Sequence, residues 1–199
     1  MTDLIVLHTL RCIGFAELAR VADAAGLAEA ESESALIDLA VAGLVTRTPP
    51  PFGGWGLTDA GHAEDARLIT EELDNAGARV AVTAAYERFM VLNPELLDLC
   101  SAWQMRAVDG VPAPNDHADR AYDARVLDRI AQLDHRLDPV CAELSARLSR
   151  FRRYRIRLAA ALGQARSGEL AQLADSTTSY HAVWFQLHED LLATLGLAR

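Results

Sequence analysis

The chain has 199 residues, 51% of them hydrophobic, and a formal net charge of -9. That is long and apolar enough for one large domain or two small ones with a real core, which excludes a disordered tail. An acidic chain is repelled by phosphate backbones unless a local patch reverses the field, and no apolar run approaches the ~18 residues of a membrane span.

The charge is unevenly placed. Residues 1–79 hold 13 acids and 5 arginines, a net of -8, whereas residues 80–199 hold 15 acids and 14 arginines, a net of -1. All 19 basic residues are arginine. With the alanine richness this suggests a GC-rich genome of actinobacterial type, a matter of codon bias and not of function. Cys12, Cys100 and Cys141 are odd in number and lack the short spacing of a zinc knuckle, so three reduced, buried thiols and no metal are expected. No basic n-region precedes an apolar h-region. The expected location is cytoplasmic.

In chain order, DLIVLHTLRCI (3–13) fits a first helix. A second is predicted from Phe15, with Phe15, Leu18, Ala19 and Ala22 on one buried face, ending at Gly26. A third runs through AEAESESALIDLAVA (28–42), with Leu36, Leu39 and Ala40 as its core stripe and Gly43 as its cap. Val45–Thr48 reads as a strand, 49–54 as a turn, and Trp55–Leu57 as the return strand.

Four short motifs carry a resemblance. ELA at 17–19 opens the second helix, AGL at 25–27 makes a turn, AGLV at 42–45 closes the third helix, and GLTDAG at 56–61 leads into a long helix. Over about residues 3–75 the chain resembles the MarR-like winged helix-turn-helix proteins. The resemblance implies three helices with a β-hairpin wing, a third helix that reads DNA, and a homodimer formed through the region beyond the wing. Positions of the DNA face would be Arg11, Arg20, Ser32, Ser34 and Arg47. The residues themselves argue against direct readout. Glu29, Glu31 and Glu33 lead the third helix, where they suit its dipole but repel phosphates. The wing offers Arg47 and an apolar tip with Phe52 and Trp55, a better composition for a partner contact than for a minor groove.

Beyond Thr58 a helix runs to about Gly77 and resumes at 78–92. Asn93-Pro94 is expected to break it, with another helix starting at Pro94. Residues 107–119 read as a loop. A helix from Tyr122 to Leu148 carries Val126, Ile130, Leu133, Leu137 and Val140 on one stripe, and Pro139 should kink or divide it. Helices over Tyr154–Ala165 and Ser176–Leu195 complete a bundle larger than the dimerisation helices of MarR-like proteins. NDHAD (115–119) and YHAVWFQLHEDLL (180–192) resemble a helical region of actinobacterial proteins associated with phosphoenolpyruvate-utilising, pyruvate phosphate dikinase-like enzymes.

Two constellations stand out. Arg147, Arg150, Arg152, Arg153, Arg155 and Arg157 lie within eleven residues, interleaved with Phe151 and Tyr154. They suit an anionic effector, an acidic partner or nucleic acid; equally, they could be structural and pair with Asp134, Asp138 or Glu143. His181 and His188 are seven positions apart on the last helix, about 10 Å along its axis, so they cannot share one metal ion. A ligand pocket of Trp103, His117, Tyr180, His181, Trp184 and His188 is one reading; packing and hydrogen bonding on a helix face is the other. No phosphate loop, nucleophile elbow or HExxH is present, so no enzyme and no cofactor are expected.

The fold expected is mainly α: a winged helix over 1–75, followed by an α-helical bundle over 76–199. The function expected is that of a homodimeric winged-helix, transcription-regulator-like protein with a helical effector or dimerisation domain, whose acidic third helix is ill suited to read duplex DNA directly. The alternative is a protein- or ligand-binding module that does not bind DNA, accessory to a phosphoenolpyruvate-utilising enzyme.

Overall fold

The computed structural model describes residues 2–49, 53–108 and 110–197, and among them the chain is mainly helical. It divides into two compact units, residues 1–80 with 186–199, and residues 81–185. The C-terminal segment therefore packs with the N-terminal unit, a pairing that no local pattern announces.

In the first unit, α1 (Thr2–Ile13) buries Val6, Leu7 and Leu10, spaced three and four apart. Residue 16 then pairs with Trp55 as an isolated bridge, its amide donating at 3.0 Å and its carbonyl accepting at 2.7 Å. Phe15 therefore does not start a helix as expected. It is 49% exposed, and its ring lies across Gly54 and Gly56, where a Cβ would meet ring carbons at 2.5 and 3.2 Å. α2 (Leu18–Ala25) begins later and buries Val21, Ala22, Ala24 and Ala25; Ala19 faces solvent. Gly26, at φ 72°, lets the Leu27 amide reach the Ala22 carbonyl at 3.1 Å and turns the chain into α3 (Glu29–Val41).

α3 buries Ser32, Ala35, Leu36 and Leu39. Gly43, at φ 76°, closes it in the same way, with the Leu44 amide on the Leu39 carbonyl at 2.9 Å. β1 (Val45–Thr48) pairs antiparallel with β2 (Gly54–Leu57), Val45 opposite Leu57 and Thr48 opposite Gly54. Phe52, named above in the wing tip, lies outside the described residues. Thr58 caps α4 (Asp59–Asn75): its hydroxyl accepts from the Gly61 amide at 3.0 Å and donates to the Gly43 carbonyl at 2.8 Å. The core joins Val6, Leu7, Leu10, Val21, Leu36 and Trp55.

In the second unit, α5 (Arg79–Gln104) is one helix through Pro94, contrary to the break expected there. An interior proline costs roughly 3 kcal/mol. Phe89, Leu92, Leu96, Leu99, Cys100 and Trp103 form one buried stripe across it, and each large apolar side chain contributes about 1.5–3 kcal/mol on burial. The stripe wins. The same holds for α6 (Arg120–Arg147), continuous through Pro139 with Leu133, Leu137, Val140 and Leu144 buried. The expected loop contains a hairpin, β3 (Met105–Val108) against β4 (Val111–Pro114). A two-stranded ribbon leaves each strand an outer edge, so Pro112 and Pro114 are tolerated.

A 3-10 turn at Ser149–Phe151 leads into α7 (Arg152–Arg166), which packs on α6. A short α8 (Ala171–Ala174) precedes α9 (Tyr180–Leu195), whose residues up to 185 belong to this unit. Trp184 stacks at 4.8 Å from Phe89, and its indole donates to Asn93 Oδ1 at 2.9 Å. No described helix is long and apolar enough to cross a membrane.

Candidate functional site

The outer surface of α3 is built from what its core stripe leaves over. Glu29, Glu31, Glu33, Ser34 and Asp38 are exposed, together with Ile37 and Val41 at 50% and 86% exposure. Residues four apart share a helix face, so Glu29, Glu33, Ile37 and Val41 form one stripe, acidic at the leading end and aliphatic at the other. No cation lies on α3. Glu31 accepts from the Thr2 hydroxyl at 3.1 Å. Beside α3, a groove of about 350 Å³ is lined by Glu17, Leu18, Glu29, Arg47, Thr48 and Trp55. Arg47 spreads its guanidinium over Trp55, 5.4 Å from the ring centre.

The residues expected on a DNA face are thus dispersed in kind. Arg11, Ser34 and Arg47 are exposed. Arg20 is half-buried, with its Nε enclosed and without a hydrogen-bond partner. Ser32 is corrected outright. It is fully buried, facing the core where a contact to DNA is excluded, and its hydroxyl has no partner. A buried, unsatisfied hydroxyl costs about 1–3 kcal/mol. Ser32→Ala should therefore raise the unfolding free energy by about 1 kcal/mol; urea unfolding checks this, and a loss of stability would show that the hydroxyl finds a partner after all.

The arginine cluster is largely absorbed by the fold of the second unit, as the structural alternative expected. Arg150 and Arg153 are buried, stacked 4.5 Å over Phe151 and 5.0 Å over Tyr154. Arg155 forks onto Asp134 with two 2.7 Å bonds and reaches Asp138 at 3.2 Å. Asp134 also accepts from the Tyr180 hydroxyl at 2.9 Å. Hydrogen bonding to Asp134 raises the Arg155 pKa further, and burial, then the Asp134 charge, pushes the Tyr180 phenol well above its ordinary value. Glu143 pairs instead with Arg88. Arg147 and Arg152 remain exposed, and Arg157 is half-buried. A surface hollow elsewhere in this unit contains Arg136, but that cation is paired with Glu95.

Of the residues expected in a ligand pocket, Trp103, Tyr180 and Trp184 are core side chains. His181 is half-buried, and His188 belongs to the first unit. His117 sits in a tied-down turn after β4. Its backbone is left-handed at φ 57°, its ring lies 4.6 Å from Trp103, and Nδ1 is 3.0 Å from Asp123. Asn115 holds the turn, donating to Asp123 at 2.8 Å and to the Trp103 carbonyl at 3.0 Å. Asp116 lies below the usual carboxylate range because the Ala118 amide and Arg106 donate to it. Asn115 and His117 thus tie the turn to Asp123 of α6, and Arg106 of β3 ties it to the hairpin through Asp116.

A third assembly has no counterpart in the sequence reading. His8 of α1 is fully buried between two buried carboxylates, Asp65 of α4 and Asp190 of α9. Its Nδ1 lies 2.9 and 3.2 Å from the two Asp65 oxygens, and its Nε2 lies 3.0 Å from Asp190 Oδ1. Cys12, one turn along α1, places Sγ 3.6 Å from the same Nε2. Its four residues all lie in the first unit and come from α1, α4 and the end of α9, and His8 lies 182 positions before Asp190. All three cysteines are free and buried.

The chain matches no protein-family profile, no curated protein and no solved structure.

Proposed function

We propose that the first unit is a winged-helix module of MarR-like type whose α3 and wing dock a cationic segment of a protein partner in place of duplex DNA, with the helical unit serving dimerisation or effector binding. The element order supports the class: two helices, a tight glycine turn, a third helix, an antiparallel hairpin and a capped helix. The short bridge from Ala16 to Trp55 and the Thr58 cap agree with it. The observation that carries the function is the exposed surface of α3, where four acids stand beside Ile37 and Val41 and no cation is present. Such a helix placed in a major groove would bring four carboxylates toward phosphates with no cation of its own to dock it. The same surface complements an arginine- or lysine-rich segment, and the aliphatic end supplies burial.

A transcription-regulator-like homodimer that reads DNA is the second reading, favoured by the same element order and by the exposed Arg11 and Arg47. Fluorescence polarisation with labelled duplex, including DNA flanking its own gene, separates the two. No saturable binding at low salt is expected. Tight binding with a steep loss of affinity as salt rises would establish phosphate contacts and overturn the proposal.

A further inference from the structure

We infer that His8, Cys12 and Asp190 form a binding site for a borderline transition-metal ion of the zinc class, with Asp65 as the residue that orients the imidazole. The three donor atoms, Nε2, Sγ and a carboxylate oxygen, all lie within 4.8 Å of one another, and all three residues are buried. Around a tetrahedral zinc ion, bonds of about 2.0–2.3 Å put neighbouring N, O and S donors roughly 3.3–3.8 Å apart. The observed 3.0 Å from Nε2 to Asp190 and 3.6 Å from Nε2 to Cys12 are close to that arrangement, and the separation of Sγ from the Asp190 oxygen, within 4.8 Å, would close as an ion draws the two together.

The local sequence explains the convergence. His8 and Cys12 are four apart on α1, so both project from one face, as paired ligands on a metal-binding helix do. Both Asp65 oxygens lie on the Nδ1 side; with the proton held there, Nε2 presents its lone pair to Cys12 and Asp190. A metal-ligating histidine nearly always donates its other ring N–H to a carboxylate, a backbone carbonyl or water, and Asp65 is placed to be that acceptor. Asp190 is held in turn, accepting from the Thr194 hydroxyl at 3.0 Å.

The donor chemistry selects the ion. Nε2 and the Asp190 oxygen stand 3.0 Å apart in a dry interior, a separation that a shared proton or a bound cation satisfies. A proton would satisfy those two atoms but makes no use of a thiol at the same point. Nitrogen, sulfur and oxygen together suit zinc or cobalt(II), and not calcium or magnesium, which take oxygen ligands. Three protein donors leave a fourth position for water or the second Asp190 oxygen. Because ligation needs a thiolate and an unprotonated Nε2, binding releases protons. A bound ion would tie α1 to α9 through its ligands and to α4 through Asp65.

The test uses the full chain, unfolded in chelator and refolded with cobalt(II), so that burial does not block access. One equivalent is expected, with a cobalt–thiolate charge-transfer band and intense visible bands of a tetrahedral site, both abolished by zinc. Cys12→Ala should remove the charge-transfer band, whereas Cys100→Ala and Cys141→Ala should leave it. Asp65→Asn should keep the band and weaken affinity about 10–100-fold. Should Cys12→Ala fail to fold, the wild-type spectrum still decides. The absence of thiolate bands in the refolded wild-type protein, or their persistence in Cys12→Ala, would overturn the site.

Discussion

Gly61→Val is expected to unfold the first unit under conditions in which the wild-type chain is folded. Gly61 lies in the first turn of α4 against Leu44, the residue before β1. A Cβ at this position would stand 1.9 Å from the Leu44 carbonyl oxygen and 3.0 Å from its carbon. These are backbone atoms, and they cannot swing away as a side chain does. Leu44 is itself fixed, because its carbonyl accepts from the Thr58 amide at 3.0 Å and its amide donates to Leu39 at 2.9 Å. Any side chain must therefore open the junction between α3, β1 and α4 and break the Thr58 cap. Overpacking of this kind costs about 3 kcal/mol or more. Gly163→Ala is the control with the opposite sign. Gly163 is helical and exposed in α7, with nothing within 4 Å of its added Cβ, and alanine in a helix is better by up to ~1 kcal/mol. Urea unfolding of both variants checks the pair. Wild-type stability in Gly61→Val would contradict the packing of α4 on Leu44.

The second large effect is expected at Asp134, where one buried carboxylate serves two partners. Asp134→Ala leaves the Arg155 guanidinium without its paired acceptor and the buried Tyr180 hydroxyl without its bond. Breaking a buried pair from one side costs about 3–5 kcal/mol. Arg155 keeps 29% side-chain exposure and its contact to Asp138, so the lower end, about 3 kcal/mol, is expected. Removing both charges, as in Asp134→Leu with Arg155→Met, should cost less than the single change, because no charge is then stranded. A double variant that loses the full sum of the two singles would show that the pair contributes nothing as a pair.

The order of elements through β2 was readable because punctuation and periodicity agree there. Gly26 and Gly43 stand where left-handed residues close α2 and α3, and the Leu36 and Leu39 stripe supplies the burial. Phe15 misled because its spacing to Leu18 and Ala22 imitates a helix face, while its ring is claimed by the bare backbone of Gly54 and Gly56. Pro94 and Pro139 misled for another reason: a local breaker was given more weight than a stripe of buried side chains on both sides of it. The β3–β4 hairpin had a signal in Asp109-Gly110 between Val108 and Val111, a common hairpin dipeptide, but the neighbouring prolines hid it. The acidic surface of α3 was legible because helical spacing is local. The His8 assembly was not. Only His8 and Cys12 lie within a turn of each other; Asp65 and Asp190 arrive through tertiary packing, and a histidine on an apolar helix carries no local mark of its partners.

The arginines teach the converse. Six cations in eleven residues read as a patch, yet stacking on Phe151 and Tyr154 and the fork onto Asp134 engage three of them. Charge density in sequence is not charge on a surface when neighbouring aromatics and an acid on the facing helix take up the cations.

Whether α3 meets a protein or a phosphate backbone is answered most directly by backbone amide chemical shifts of the full chain, titrated separately with an arginine-rich peptide and with a mixed-sequence duplex at low salt. Peptide-induced shifts are expected in α3 and along β1 and β2, around Glu29, Glu33, Ile37 and Trp55, and the duplex is expected to leave those amides unmoved. Shifts of the α3 amides with the duplex and none with the peptide would contradict the proposed function.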